Sequence, residues 1–466
     1  MRDALLGRPA RDVDLVVDGD PIAAAARLAR RLGGTAVTLD ADLPVERVVL
    51  GRPIAGVRTI DLQPPRGDLA HDLRERDYTA NAVAWDPRAP ATLIDPLGGT
   101  ADIRARRLRM VSPANLDADP LRLLRAVRLF AERLLRPDPE TATAIRVRAG
   151  MVTSAAPERL QYELRLTLAS HRAARALRLA DTLGLIDPLL PELAEGRGFR
   201  QPKEHYYNVL QHQLAAVQAL DRLLAPRATG AKARRLRAVT WHPEQGLGPW
   251  RRRWAGAADS PGGRRRAILK LATLLHDVAK PRTRGWRPDG RMHFFGHAEQ
   301  GGKIARAALA RLRFSRADQE VVALLVTEHL RPLQLSSGEL PTRRAVFRFV
   351  RDLSGLEVDA LLLSLADHVA TVGPRLTPDD LVSHVAYSRW LLDTAEEIAA
   401  GTATRKRLLD GGVLMQALGL QPGSEVGRLL RAVEEAWAAG EIGTLDEALT
   451  LARRLHEQGE ARRGEP

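Results

Sequence analysis

Two periods of apolar residues run along this chain, and the change from one to the other divides it. Between residues 1 and 110, short apolar runs at Val13–Val17, Thr35–Leu39, Arg47–Leu50, Val57–Leu62 and Ala82–Trp85 read as strands. The spacing predicts a helix over Ile22–Leu32, so this part reads as a small α/β domain. From about Pro120 onward, leucine and alanine recur every three or four residues, the signature of amphipathic helices. Breaks in the pattern fall near Arg136–Pro139, Glu195–Pro202, Ala225–Gly263, Gly373–Pro378 and Gly401–Lys406. The stretch from Ala225 to Gly263, rich in Arg, Gly, Pro and Trp, is expected to be a long loop or an inserted basic element. The fold class is therefore α+β and multidomain.

With 466 residues, several domains and a large core are expected. A hydrophobic content of 45% beside 27% charged residues describes a folded chain, not a disordered one. No apolar run approaches membrane-spanning length, and the first residues lack the apolar core of a signal peptide, so no membrane partner is expected. With no cysteine, disulfides and thiolate metal sites are excluded, and any metal must sit on histidine and carboxylate. The cytoplasm is the expected location. A formal net charge of +14 suits a polyanionic partner, although a general arginine bias accounts for part of it.

Chemistry-bearing residues appear at once. Asp12 and Asp14 flank one valine and lead into Leu15-Val16-Val17. On a strand, residues two apart share a face, so both carboxylates aim at one spot as hard oxygen ligands for magnesium. The segment resembles the head motif of the tRNA nucleotidyltransferase and poly(A) polymerase family, part of the polymerase-β-like nucleotidyltransferases. Arg2, Asp3, Leu5, Leu6, Gly7, Arg8, Asp12 and Asp14 carry the resemblance. The family's Gly-Gly, which comes before Arg-Asp, is absent. Met1 stands where the pattern has valine, and GTG is both a valine codon and an alternative bacterial start. The expectation is a natural protein that begins upstream, with the Gly-Gly and one more strand.

Further motifs follow in the family's order. Asp61, between Ile60 and Leu62, stands where the fold places its third metal-site carboxylate. Glu75-Arg76-Asp77-Tyr78-Thr79-Ala80-Asn81-Ala82 resembles the ribose-contacting motif, with Glu75 replacing its first arginine and Arg76, Asp77 and Asn81 retained. Asp95-Pro96-Leu97-Gly98-Gly99 fits the next motif, read as a structural turn or hinge. Asp119-Pro120-Leu121-Arg122-Leu123-Leu124-Arg125 resembles the Glu-Asp-x-x-Arg helix, with Ala118 in the glutamate position. There Asp119 and Arg122, three residues apart on one helical face, would offer an acceptor and a donor to the edge of the incoming base. Pro157–Glu163 resembles the neck motif, taken as structural. The resemblance implies attack of an RNA 3′-hydroxyl on the α-phosphate of ATP or CTP with magnesium at the head, and tRNA as partner. Arg2, Asp3, Arg8, Arg76, Asp77, Asn81, Asp119, Arg122 and Arg125 are then the nucleotide-binding candidates, and Asp12, Asp14 and Asp61 the catalytic ones.

Downstream, Lys270–Lys280 reads as an apolar helix ending in His276-Asp277, which resembles the signature of the HD phosphohydrolase superfamily. His212, His297, His329 and Asp367 stand at the superfamily's other positions. Imidazole and carboxylate together suit magnesium, manganese or nickel. His276, Asp277, His212 and Asp367 are expected ligands, and His297 and His329 would complete a two-metal version. His205 and His293 are expected to supply hydrogen bonds. Near the end, Pro422-Gly423 precedes an amphipathic run and marks a helix start, whose use is packing or a basic surface for tRNA. The implied organisation is a polymerase-β-like head (1–110), a helical neck and body (111–200), an HD domain (201–372) and a helical tail (373–466). The implied function is CCA-adding or A-adding nucleotidyl transfer with an HD phosphohydrolase side activity. A poly(A) polymerase, an HD phosphohydrolase alone and a catalytically dead RNA-binding protein are the alternatives, and the oligomeric state is left open.

Overall fold

The structure is a computed structural model that describes residues 1–10, 12–40, 45–65, 67–226, 230–251, 254, 263–336, 340–403 and 408–463. The chain forms two compact units, Met1–Thr167 with Ala176–Leu189, and Leu168–Arg175 with Leu190–Pro466.

The first unit opens with a single helical turn, α1 (Arg2–Leu5), and then strand β1 (Asp12–Val16). Helix α2 (Pro21–Leu32) begins where Asp20 accepts a hydrogen bond from the Ile22 amide, and Pro21 fills a first-turn position that needs no donor. It stops at Gly33, in the left-handed region with φ 65°. Strands β2 (Gly34–Asp40), β3 (Val45–Ile54) and β4 (Val57–Gln63) complete a sheet of order β1-β4-β3-β2, with β1 parallel to β4 and the other pairs antiparallel. Ala25 and Ala29 of α2 pack on Val48, Leu50 and Leu62, so one face of the sheet is covered and the other is left for chemistry.

After the sheet come helices α3 (Leu69–Arg74), α4 (Pro113–Ala118), α5 (Leu121–Arg133) and α6 (Pro157–Ala169). The expected strand at Ala82–Trp85 shrinks to Ala84–Trp85, because Thr79–Asn81 is taken by a 3-10 turn. Gly98, at φ +71°, and Gly99 make the expected turn. A Cβ on Gly99 would lie 2.0 Å from the Thr79 carbonyl oxygen, so only glycine fits.

The second unit is helical. Helices α7 (Val209–Leu224), α8 (Arg264–Leu275) and α11 (Glu357–Val372) pack together, and α9 (His297–Arg311) packs on α10 (Arg316–Thr327). Val217 and Leu220, Leu271 and Leu274, and Leu361 and Leu365 form the buried seam of the first three. Part of Ala225–Gly263 lies outside the described residues; within it Ala231–Thr240 is a helix and Trp250 and Trp254 are buried. The expected break at Gly373–Pro378 is a 3-10 turn (Gly373–Arg375) before helix α12 (Pro378–Ala403). That helix runs on through Gly401, and the rest of the break expected there lies outside the described residues. A separate small core of Leu414, Leu429, Val433, Ala448 and Ala452 joins α13 (Ser424–Ala438), which starts after Gly423, to α14 (Leu445–Arg463). No described helix is long and apolar enough to cross a membrane.

Candidate functional site

On the open face of the head sheet, Asp14 is the register partner of Asp61 across the parallel β1–β4 pair, and Asp12 is opposite Thr59. Neighbouring strand positions in register point the same way, and Asp12 shares the face of Asp14 by the two-residue period. All three carboxylates therefore face away from α2, which packs on Leu62. Asp12 and Asp14 are exposed. Asp12 accepts a hydrogen bond from the Thr59 hydroxyl at 2.6 Å. Asp61 is held in a bidentate pair by Arg47, with Nε and Nη2 at 2.8 and 2.7 Å. That pairing, first by hydrogen bonding to Asp61, raises the already high pKa of Arg47. An all-oxygen donor set on one face fits magnesium, and Asp61 must exchange Arg47 for the ion to join it.

The remaining nucleotide-binding candidates form a connected network. Arg2 Nη1 donates to Asn81 Oδ1 at 2.5 Å, and Asn81 Nδ2 donates to Asp77 Oδ1 at 2.8 Å. Asp77 is buried and also takes the Tyr78 amide at 2.7 Å and Arg125 Nη1 at 3.0 Å. Burial pushes its carboxyl up, but Arg125 and these hydrogen bonds outweigh it, so its pKa lies below the ordinary value. Asp3 is clasped by Arg133 at 2.7 and 2.8 Å, and Arg8 donates to the Glu132 carbonyl at 2.9 Å. Asp3, Asp77 and Arg125 thus hold the neighbours in place, while Arg76, paired with Asp72 at 2.8 Å, remains partly exposed.

The sequence places Asp119 and Arg122 on one helical face, but Asp119 lies outside the helix. Asp119 has extended backbone angles between α4 and α5, because Pro120 precedes the first helical residue, Leu121. The two still meet, with Arg122 Nε 3.9 Å from Asp119 Oδ2. Arg122 Nη1 donates to the Asn115 carbonyl at 2.9 Å, while its Nε is buried with no hydrogen-bond partner. Sequence reasoning missed two contributors here. Arg159 of the neck donates to Asp119 at 2.8 Å, and Glu163, buried, accepts from Arg128 at 2.5 Å and from Arg125 at 3.4 Å. Glu163 and Arg159 were visible only as a structural motif. Arg47 was visible only as the first residue of the expected strand Arg47–Leu50.

In the second unit the histidine–aspartate residues converge from five helices or their ends. Among the described residues, two sets of three ligand atoms lie within 4.8 Å of one another, His212, His276 and Asp367, and Asp277, His297 and His329. His212 rides on α7, Asp367 on α11, and His276-Asp277 follow the end of α8. Asp277 joins the sets. Its Oδ2 is 3.3 Å from Nε2 of both His212 and His276, and its Oδ1 is 3.4 and 3.7 Å from Nε2 of His297 and His329. Gly302 lets α9 approach α10 closely, since a Cβ there would meet the Thr327 hydroxyl at 2.2 Å.

Three of the imidazoles share one anchoring. His276, His297 and His329 each place Nδ1 against the backbone carbonyl three residues back, at 2.8, 2.7 and 2.6 Å. Such a bond fixes Nδ1 as the donor and turns the Nε2 lone pair inward. Nε2 of His297 and His329 is buried with no hydrogen-bond partner. An orphaned buried acceptor beside a carboxylate is what a metal ligand looks like before its ion. Burial opposes a proton on His276, yet Asp277 and Asp367 outweigh it and raise its imidazole to about 10. The two carboxylates thus favour a positive charge inside the cluster. Lys280 adds one at 2.7 Å from Asp277, held by Gln201 at 2.8 Å and by His205 at 3.3 Å, which gives His205 its expected hydrogen-bonding role. His293 accepts from the Phe295 amide at 3.4 Å.

The chain matches the families described as "Poly A polymerase head domain" over residues 1–109, "Probable RNA and SrmB-binding site of polymerase A" over 135–196 and "HD domain" over 252–372. The A-adding tRNA nucleotidyltransferase of Deinococcus radiodurans is 37% identical over 464 residues, covering 98% of this chain and 94% of that relative. The CC-adding tRNA nucleotidyltransferase of Thermus thermophilus is 36% identical over 456 residues, covering 96% and 90%. Among solved structures, a Thermotoga maritima CCA-adding enzyme complexed with tRNA shares the fold at a TM-score of 0.54 and 20% identity, over 97% of this chain and 88% of that one. Identity of 36–37% to the two curated relatives along nearly the whole chain makes it a member of the tRNA nucleotidyltransferase and poly(A) polymerase family.

Proposed function

We propose that the protein adds nucleotides to the 3′ end of tRNA, using CTP, ATP or both, through a head (1–110), a neck and body (111–200), an HD domain (201–372) and a tail (373–466). The observation that carries this is the in-register placement of Asp14 and Asp61, with Asp12, on the open face of the sheet. Asp12 and Asp14 would hold magnesium, with Asp61 joining when Arg47 yields. Magnesium bound there supplies activation of the 3′-hydroxyl and neutralisation of the triphosphate. The O3′–Pα bond forms, the Pα–O bond to pyrophosphate breaks, and the hydroxyl proton passes to solvent. Asp119 and Arg122, steadied by Arg159 and by the Asn115 carbonyl, read the edge of the base. Arg76 lies beside them for sugar or phosphate, and the Arg2–Asn81–Asp77–Arg125 chain keeps the pocket's wall in place. A tRNA substrate puts the protein in the cytoplasm.

The test is incorporation of labelled CTP and ATP into tRNA lacking its CCA end. Both labels mean CCA addition, and ATP or CTP alone means a partial adder. Extension of an unrelated RNA by many adenylates points to a poly(A) polymerase, and no incorporation overturns the reading.

A second activity is favoured by the unpartnered Nε2 atoms of His297 and His329. We infer a phosphohydrolase centre in which Asp277 would help to hold two divalent ions such as magnesium, manganese or nickel, which would supply activation of water. His212, His276 and Asp367 would hold one, and His297 and His329 the other. Water's oxygen joins phosphorus, the ester P–O bond breaks, and the leaving oxygen takes the proton. Phosphate release from phosphorylated ends, or ring opening of 2′,3′-cyclic ends to a phosphomonoester, lost on chelation and in Asp277→Ala, is the expected result. Hydrolysis unaffected by chelation would overturn it.

A further inference from the structure

Beside the histidine–aspartate centre lies a surface that its chemistry does not use. A two-stranded hairpin, β5 (Gly285–Trp286) and β6 (Met292–His293), stands next to the segment 196–200, and together they frame a cleft of about 540 Å³. Arg197, Phe199, Arg200, Arg284, Trp286 and Met292 line it, three arginines and no carboxylate. Large aromatics are normally covered, yet Trp286 is 62% exposed and Phe295, just past the hairpin, is 65% exposed. Guanidinium groups lie over rings, Arg284 at 5.2 Å from the Phe199 centroid and Arg287 at 5.2 Å from that of Phe295. The nearby acids are already paired, Glu195 with Arg282 and Asp289 with Arg291 at 2.6 Å.

Both walls of the cleft lead directly into metal-site histidines. The Phe199 carbonyl accepts from the Val209 amide at 3.1 Å, at the start of the helix that carries His212. On the other side, the Phe294 carbonyl anchors His297 Nδ1 at 2.7 Å. The rings of Phe199 and Phe294 are 6.2 Å apart, and Lys280 Nζ sits 5.6 Å from the Phe294 centroid while pairing with Asp277. Flat apolar rings interleaved with arginines match one ligand chemistry above others, bases that stack and phosphates that pair with guanidinium. Stacking on rings tolerates any base, so no sequence is read.

We propose that this cleft holds a phosphorylated single-stranded RNA end for the adjoining centre, its last base stacked on Trp286 and its phosphates on Arg200 and Arg284. The proposal rests on the phosphohydrolase reading for its purpose, but binding can be measured without it. The probe is a fluorescein-labelled, single-stranded five-adenylate RNA with a 3′-phosphate, titrated by anisotropy with the full chain in EDTA. Trp286→Ala is expected to weaken binding about ten-fold, and Trp286→Phe, which keeps a ring, to bind like the wild type. Arg200→Ala with Arg284→Ala should flatten the salt dependence by about 0.7 in log–log slope per arginine. Unchanged affinity in Trp286→Ala and in the double arginine variant overturns the proposal. So does AMP competing as well as the five-nucleotide RNA, which would make a free nucleotide the ligand. In the metal-loaded enzyme, Trp286→Ala should raise KM for end hydrolysis with kcat unchanged. Hydrolysis with an unaltered KM sinks the cleft and leaves the phosphohydrolase standing. Ring-dependent binding without hydrolysis under any divalent metal does the reverse.

Discussion

Replacing Arg125 by alanine should cost more than any exposed ion pair, because its guanidinium serves two buried acids. Asp77 and Glu163 have side chains only 3% exposed, and Arg125 itself is 29% exposed. Without it Glu163 keeps Arg128 at 2.5 Å, but Asp77 keeps only the amides of Asn81 and Tyr78. Stranding one partner of a buried pair costs roughly 3–5 kcal/mol, and the partial exposure of Arg125 puts the expectation at the lower end, about 3 kcal/mol. With a urea m-value of about 2–3 kcal/mol/M, the transition of the first unit should fall by about 1 M. Pulse proteolysis along a urea series reads that transition in the full chain. The pH response should change sign. In the wild type the Asp77 pKa lies below its ordinary 3.8, so its stabilisation is complete above about pH 4 and fades as pH falls through the lower folded value. In Arg125→Ala, burial, the largest influence on Asp77, is left opposed only by hydrogen bonds and raises its pKa. That variant should gain stability as pH drops from 7 towards 4. Asp77→Asn combined with Arg125→Ala should recover about 1–2 kcal/mol, because an amide needs no counter-charge. A loss under 1 kcal/mol, or a variant whose stability does not rise on acidification, would refute the network's role.

Asp12→Ala and Asp14→Ala should each abolish nucleotide addition while leaving tRNA affinity, read by filter binding, within about two-fold, because phosphate contacts from basic residues dominate RNA affinity. Arg122→Ala should lose base selectivity as well as rate, and an unchanged ATP-to-UTP preference would refute its contact with the base. Arg47→Met removes the cation that occupies Asp61, so half-maximal addition should need less magnesium, and a higher requirement would show that Arg47 orients the carboxylate instead. Asp277→Ala should reduce bound divalent metal, measured by elemental analysis, from about two ions to none in the second unit, since its carboxylate lies against histidines of both ligand sets. Its nucleotide addition should be unchanged.

Much of this was legible because the chemistry sits on periodic elements. Asp12, Asp14 and Asp61 could be placed from the two-residue strand period and their apolar neighbours, and the four sheet strands appear within a few residues of expectation. His276-Asp277 was readable as the end of an apolar helix. Other features depended on tertiary partners that no local pattern encodes. The Arg47–Asp61 pair needs the register of β3 on β4, and the joining of two ligand sets through Asp277 needs five helices brought together. Asp119 was misplaced because Pro120 ends its continuity with the helix, a local signal outweighed by the spacing to Arg122. The aromatic cleft had no motif at all, since Phe199 and Trp286 are far apart in sequence and meet only in the folded unit.

The position of β1 has a consequence for solubility. Among the described residues it lies at the edge of the sheet, with Leu15 and Val16 37% and 38% exposed. An exposed apolar edge invites another chain to add a strand, and charges along it discourage that pairing. In Asp12-Val13-Asp14-Leu15-Val16 the two carboxylates are the only charges, so the groups proposed to hold magnesium also keep the edge from self-association. Removing both leaves a five-residue apolar β-former, and the double alanine variant should form oligomers or aggregates visible by light scattering. The active-site carboxylates therefore cannot drift to neutral residues without a cost in colloidal behaviour, even in a descendant that has lost the need for catalysis.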